Sequence, residues 1–203
     1  MINASVKDLS SCGRVTVRSP LFKEQLSFLG KAERYVLIDL GPARSKTIAL
    51  LSGSRCRLDI VNIPELLRQR SFDSDPDVLM QKLTQRILCS DFEQADLVLC
   101  WTLLNYLTPS QIQGLMLLLE KRLAPNAKIH ALIVSSSTEL CMEPFGVCAE
   151  DQECLLIESN EEAPSYPSPK YSLGALEKNM AGFKSERTML LSNGMREYIF
   201  SRQ

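Results

Sequence analysis

Tyr35-Val-Leu-Ile-Asp-Leu-Gly-Pro-Ala-Arg-Ser-Lys-Thr-Ile-Ala-Leu-Leu-Ser-Gly-Ser-Arg-Cys-Arg-Leu-Asp59 decides the fold. An apolar run, Val36 to Leu40, reaches Gly41. A short helical segment follows, and a second short run ends in an acid. That is the outline of a β-loop-α-β unit with a nucleotide-sized cleft at its mouth. Tyr35–Leu40 is apolar on both faces, which suits a strand covered by helices on both sides. Gly41-Pro42 turns the chain. Ala43–Ser52 reads as a helix with Ile48 and Leu51 inward, and Arg55–Ile60 as a second strand.

Outward from this unit the pattern repeats. Asp96–Trp101 is a second central strand, with Leu97 to Cys100 all apolar. Thr108-Pro109 opens a helix in which Ile112, Leu115, Met116, Leu119 and Leu123 recur at helical spacing. Pro125-Asn126 reads as a turn and Lys128–Val134 as the next strand. Asn62-Ile-Pro-Glu65 is a helix start, Asn62 as cap and Glu65 reaching back. Asp75-Pro76 starts a further helix with Leu79, Leu83 and Ile87 on one face, and Ile87–Ser90 is the place for a third strand. Strands interleaved with helices in this order predict an α/β fold around a parallel sheet.

The flanks are read in the same way. Val15–Val17 is β-like. Ser19-Pro20 opens a helix, serine as cap and proline at its first position, with Phe22, Leu26 and Leu29 on one face. Ser135–Ser168 is weakly patterned, with a strand at Cys154–Ile157 and an exposed loop at Glu161–Pro169. Ser172 caps a helix through Ala181, with Leu173, Leu176 and Met180 inward. Ser185–Leu191 and Arg196–Arg202 are strands joined at Ser192-Asn193-Gly194, where Asn-Gly signals a hairpin. A single domain over 1–203 is expected, with a lead-in at 1–34 and a variable, partly mobile insertion at 135–171 on the substrate side.

Composition narrows the function. The chain has 203 residues, 45% hydrophobic and 23% charged, with net charge −1. Nothing in that balance attracts nucleic acid or an anionic membrane. No apolar run approaches the roughly 20 residues of a membrane helix, and the start lacks a signal-peptide pattern. The seven cysteines are scattered without a C-x-x-C pair, and there is one histidine. A reducing cytoplasm is the expected setting, with no His-rich metal site. Gly41–Thr47 ends in Lys-Thr after a strand, but its spacing is one residue short of a P-loop and Ser45 replaces the second glycine, so a nucleotide triphosphatase is excluded.

The order of parts, a parallel α/β sheet closed by helix, strand, hairpin and strand, resembles the class I S-adenosylmethionine-dependent methyltransferases over roughly residues 19–203. Asp39-Leu40-Gly41 resembles their acidic-x-Gly opening. Ala95–Cys100 is similar to their fourth strand, Leu123-Ala-Pro-Asn-Ala127 to their Leu-Lys-Pro-Gly-Gly, and Tyr171–Phe183 to the helix and Gly-Phe before strand six. The resemblance implies a Rossmann-like, mostly parallel seven-stranded sheet with an antiparallel C-terminal strand. It also implies S-adenosylmethionine as cofactor and an unidentified small-molecule or protein acceptor.

The same resemblance supplies the site residues. Asp39 and Gly41 form the loop. Asp59, twenty residues after Asp39, stands where the family holds the ribose hydroxyls; the plain alternative is a solvated acid or a loop cap. Asp91 is placed to meet the adenine amino group, against a surface acid. Trp101 ends the fourth strand beside the cofactor, and Asn105 and Tyr106 face the acceptor; the alternative is that they pack helix against sheet and form the turn. The loop departs from the family, since Ala43 and Ser45 stand at its usual further glycines and Pro42 removes one N–H. The Asn/Asp-Pro-Pro-aromatic motif is absent, no general base is evident, and His130 reads as structural. Two functions therefore stand side by side: a methyltransferase, and a methyltransferase-like domain without cofactor that serves as an interaction module.

Overall fold

The computed structural model describes residues 13–29, 34–52, 55–68, 76–88, 93–135, 137–160 and 162–202. Its centre is β2 (Tyr35–Asp39), every residue of which is buried. Beside it lie β3 (Cys56–Ile60), β4 (Ala95–Trp101) and β5 (Leu123–Val134), all parallel. The chain returns through β10 (Phe183–Leu190) and β11 (Met195–Arg202), and β11 pairs antiparallel with β5 from Met195↔Val134 to Ser201↔Lys128. The order across the sheet is β10-β11-β5-β4-β2-β3. The expected antiparallel C-terminal strand is present, and Gly194 turns its hairpin at φ +82°.

The sheet has six strands among the described residues, where seven were expected. Ile87 does not open a third strand. It closes α4 (Pro76–Ile87), and Leu79, Leu83 and Ile87 are buried on one helical face. Their spacing of four carries the helix through Ile87.

Helices cover both faces. On one, α3 (Ile63–Arg68), α4, α5 (Pro109–Glu120) and α6 (Leu173–Asn179) bury Leu66, Leu83, Ile112 and Leu176 against Ile38, Val98 and Ile129. Thr108 and Gln111 form the capping box that starts α5. On the other face, α1 (Pro20–Leu29) and α2 (Ser45–Ser52) are joined by a small antiparallel sheet. That sheet runs β1-β8-β7, from β1 (Arg14–Arg18), β8 (Cys154–Glu158) and β7 (Gly146–Ala149). Its Val17, Val147, Leu155 and Ile157 pack with Phe22, Leu37 and Leu99. The short strands β6 (Glu139–Cys141) and β9 (Ser165–Pro167) pair with each other, so part of the expected loop Glu161–Pro169 is strand.

Several local expectations are corrected by packing. Ile48 is 37% exposed; α2 turns Thr47 and Leu51 inward, because Thr47 Oγ1 accepts the Ala149 N–H at 3.0 Å from β7. Leu173 is exposed, while Leu176 and Met180 are buried. The helix stops at Asn179 because Ala181 and Gly182 are left-handed, at φ +47° and +87°. Pro125-Asn126 lies within β5, where the register with β4 shifts between Ala95 and Leu97.

Ser19 precedes Pro20 as expected and its carbonyl accepts the Lys23 N–H at 3.0 Å, but its hydroxyl does not cap the first N–H groups of α1. Its hydroxyl donates to Glu197 of β11, and that carboxylate accepts the N–H groups of Leu21 and Phe22 at 3.1 and 2.8 Å. A helix leaves its first N–H groups without internal partners, so a buried acid at this point both caps the helix and pins it to the sheet. His130 Nε2 completes the cluster at 2.9 Å from Glu197, with both side chains fully buried.

Candidate functional site

The carboxyl ends of β2 and β4 meet at Gly41. Asp39, the last residue of β2, is 2% exposed. Its Oδ1 accepts the Gly41 N–H at 2.8 Å, which draws the loop back over the strand end. The same oxygen accepts the indole Nε1–H of Trp101 at 2.6 Å. Burial pushes the Asp39 carboxyl up to about 6, and the Trp101 and Gly41 hydrogen bonds hold it from rising further.

Trp101 reaches this position through an irregular strand end. Leu99 pairs with His130 and Trp101 with Ala131, so two residues of β4 advance against one of β5. Trp101 itself has φ +50°. For a bulky side chain that is an outlier, costing on the order of 1–3 kcal/mol. A bulge of this kind re-aims a side chain. Here the indole lies on Gly41: a Cβ built on that glycine would sit 2.7 Å from Trp101 Cδ1 and 2.9 Å from Nε1. The ring packs against Phe22 and His130, with centroids 5.6 and 5.8 Å away.

What remains is a hollow of only about 10 Å3, room for about one water, lined by Gly41, Pro42, Pro64, Trp101, Phe145 and Val147 among others. Ligand pockets are usually roughly 300–1,000 Å3. The polar lining side chains are Cys100, Trp101 and Thr102. The thiol of Cys100 is raised by burial, and Trp101 is committed to Asp39. This lining supplies no ready proton acceptor. Among the described residues no cluster of His, Cys, Asp or Glu could hold a metal ion.

Asp59 is held elsewhere. Its Oδ1 accepts from Arg57 Nε at 3.0 Å and its Oδ2 from Arg122 Nη2 at 2.6 Å. Burial works against ionisation, but the Arg122 and Arg57 hydrogen bonds prevail and keep the carboxyl below its ordinary value. Arg122 is 1% exposed and also donates to the Ile87 carbonyl at 3.1 Å. Arg57 continues to Glu93 at 3.1 Å. Arg57 lies on β3 itself, and Arg122 and Glu93 come from the segments that enter β5 and β4; none of them belongs to the Gly41 loop. Asp91 lies outside the described residues.

Asn105 and Tyr106 sit in a short 3₁₀ turn, Leu103–Tyr106. The buried Asn105 amide donates to the Thr102 and Leu132 carbonyls at 2.7 and 2.8 Å and accepts the Val134 N–H at 2.9 Å. It ties the end of β4 to β5. The Tyr106 hydroxyl donates to the Glu143 carbonyl at 3.3 Å and accepts the Phe145 N–H at 3.2 Å. It thereby holds Phe145, edge-on at 6.1 Å, over the cleft.

The structure therefore joins Asp39, Gly41 and Trp101 in one contact and keeps Asp59 in a separate ion cluster. Asn62 was read as a cap. It has φ +53°, its amide donates to Glu65 Oε2 at 3.0 Å, and its buried Oδ1 meets no partner among the described residues. Glu197 escapes the sequence reading, and Arg122, which with Glu120 and Lys121 reads as the outer end of the long helix, is in fact 1% exposed. Glu197 alternates with Met195 and Ile199 on one face of β11, and an acid in that inward register was the available signal. Arg122 gave none, since a charge after a helix usually faces water.

With the indole packed on Gly41, the space left at the strand ends is too small for a nucleoside-sized cofactor. The fold nevertheless is that of the class I S-adenosylmethionine-dependent methyltransferases. The chain is similar to the 1,6-didemethyltoxoflavin-N1-methyltransferase of Burkholderia thailandensis, solved with 1,6-didemethyltoxoflavin and S-adenosylhomocysteine. That match has a TM-score of 0.50 and 14% identity, over 91% of this chain and 76% of that one. It is also similar to the glycopeptide N-methyltransferase MtfA, solved with S-adenosylmethionine, at TM-score 0.51 and 13% identity over 100% of both chains. A protein of Pyrococcus horikoshii matches at TM-score 0.53 and 13% identity, over 90% of this chain and 89% of that one. No protein-family model and no curated protein sequence matches the chain.

Proposed function

We propose that this protein is an S-adenosylmethionine-dependent methyltransferase of unidentified acceptor, with its cofactor cleft at Gly41. The observation that carries this reading is the Asp39–Gly41 turn, closed at 2.8 Å at the carboxyl end of the central parallel strand. Ligands of open α/β sheets bind at that end of the strands. Structural neighbours solved with S-adenosylmethionine and S-adenosylhomocysteine support the choice of ligand. Asp39 shapes the loop and Gly41 carries the close approach. Tyr106 shapes the wall on the acceptor side through Phe145, and Asn105 braces the turn beneath it.

A second reading, a methyltransferase-like domain that binds no cofactor and serves as an interaction module, is favoured by one arrangement. Trp101 covers Gly41 while both Asp59 oxygens are engaged by arginines.

Calorimetric titration with S-adenosylmethionine and S-adenosylhomocysteine decides between them. Saturable binding of either ligand supports the first reading. No heat of binding up to millimolar ligand, with either ligand, in the wild type and in a folded Trp101→Gly variant rejects it in favour of the second.

A further inference from the structure

We propose that Trp101 is an internal plug that holds the cleft at Gly41 shut, and that a ligand enters only when the indole leaves. This rests on the reading of that cleft as the cofactor site. Three independent features place the plug. The indole is packed on Gly41 so closely that a Cβ there would overlap it at 2.7 Å. Its N–H is fastened to Asp39, the residue that also closes the Gly41 turn, at 2.6 and 2.8 Å. Its backbone is left-handed at φ +50°, at a register shift of β4 against β5.

The last feature separates a plug from ordinary core packing. A tryptophan that only filled the core would be expected in a relaxed strand conformation. Here the surrounding contacts hold it in a disfavoured one, so movement of Trp101 to a relaxed backbone angle would open the cleft and release the strain together. The ring's other neighbours, Phe22 at the start of α1 and His130 on β5, make an aromatic seat on one side of it. The occupant that competes with the indole is the adenosyl ligand of the proposed function. Closed molecules do not bind, so the apparent affinity is lowered by the fraction that is open.

Trp101 is the chain's single tryptophan, so its emission reports the plug directly. The full-length chain is titrated with S-adenosylhomocysteine by calorimetry and by tryptophan emission. Trp101→Gly, which suits the positive φ, and Trp101→Phe, which keeps a ring but loses the N–H, are titrated by calorimetry after circular dichroism has shown that they are folded. The expected results are an emission shift to longer wavelength as the wild type binds, and affinity about tenfold tighter in Trp101→Gly. Trp101→Phe falls between them. Equal affinity in wild type and variants, or wild-type binding with unmoved emission, overturns the plug and leaves the cofactor reading standing. Absence of binding in the wild type and in a folded variant overturns both. Should Trp101→Gly fail to fold, Trp101→Phe and the wild-type emission decide alone.

Discussion

Trp101 Nε1 donates to Asp39 Oδ1 at 2.6 Å, joining the ends of two parallel strands across the mouth of the cleft. Asp39 is otherwise bonded to Gly41 and almost fully buried. Its carboxyl is raised from 3.8 to about 6, with burial the largest cause.

That shift has a definite sign. A carboxyl whose folded value is raised adds stability that is fully present below its unfolded value and is lost as pH rises through the folded one. The contribution therefore fades between about pH 4 and pH 6, by about 3 kcal/mol. Asp39→Asn, which cannot ionise, is expected to gain on the wild type across this window. Urea denaturation of both proteins at several pH values checks it; a constant difference from pH 4 to 7 would refute the buried, ionising Asp39.

Glu197 is expected to be the most sensitive single side chain in the sheet. Its carboxylate accepts from Ser19, Leu21, Phe22 and His130 in a fully buried setting. Glu197→Ala leaves the helix start and the imidazole without their acceptor. The expected loss is about 3–5 kcal/mol, measured by denaturant unfolding at neutral pH. Burial opposes its ionisation, but the His130 and Ser19 hydrogen bonds hold the carboxyl below 4.5. That contribution is present above pH 4.5 and is lost as pH falls through the folded value.

Asp59→Ala is expected to act on stability. Arg122 is buried and would lose its bond to the Asp59 carboxylate, at a cost of about 3 kcal/mol. Because both Asp59 oxygens are taken by arginines, affinity for S-adenosylhomocysteine is expected to stay within about twofold of the wild type. A larger loss of affinity in a folded Asp59→Ala protein would place the ribose on Asp59 after all.

Asn105→Ala removes three hydrogen bonds that join the end of β4 to β5. The Thr102 carbonyl keeps the backbone N–H of residue 105 at 3.1 Å, but the Val134 N–H loses its acceptor and the Leu132 carbonyl a donor, at an expected cost of about 2–3 kcal/mol. Hydrogen exchange at Val134 is the specific readout, and it should quicken more than exchange in β10.

The sequence determined the framework. The apolar runs of β2 and β4, the helical spacing of α5 and the Asn-Gly hairpin before β11 are local patterns, and each depends only on neighbouring residues. They were enough to place the parallel centre and the antiparallel return. The site was legible as far as Asp39 and Gly41, which are two residues apart on one turn. What only the tertiary structure decided involves partners far apart in the chain. Trp101 meets Asp39 across 62 positions, Arg122 meets Asp59 across 63, and Glu197 meets the start of α1 across more than 170. An acid at the end of a strand looks the same in sequence whether water, ligand or arginine will face it. Its partner is chosen by the approach of other strands and helices, and by the strained strand end that turns Trp101 onto Gly41.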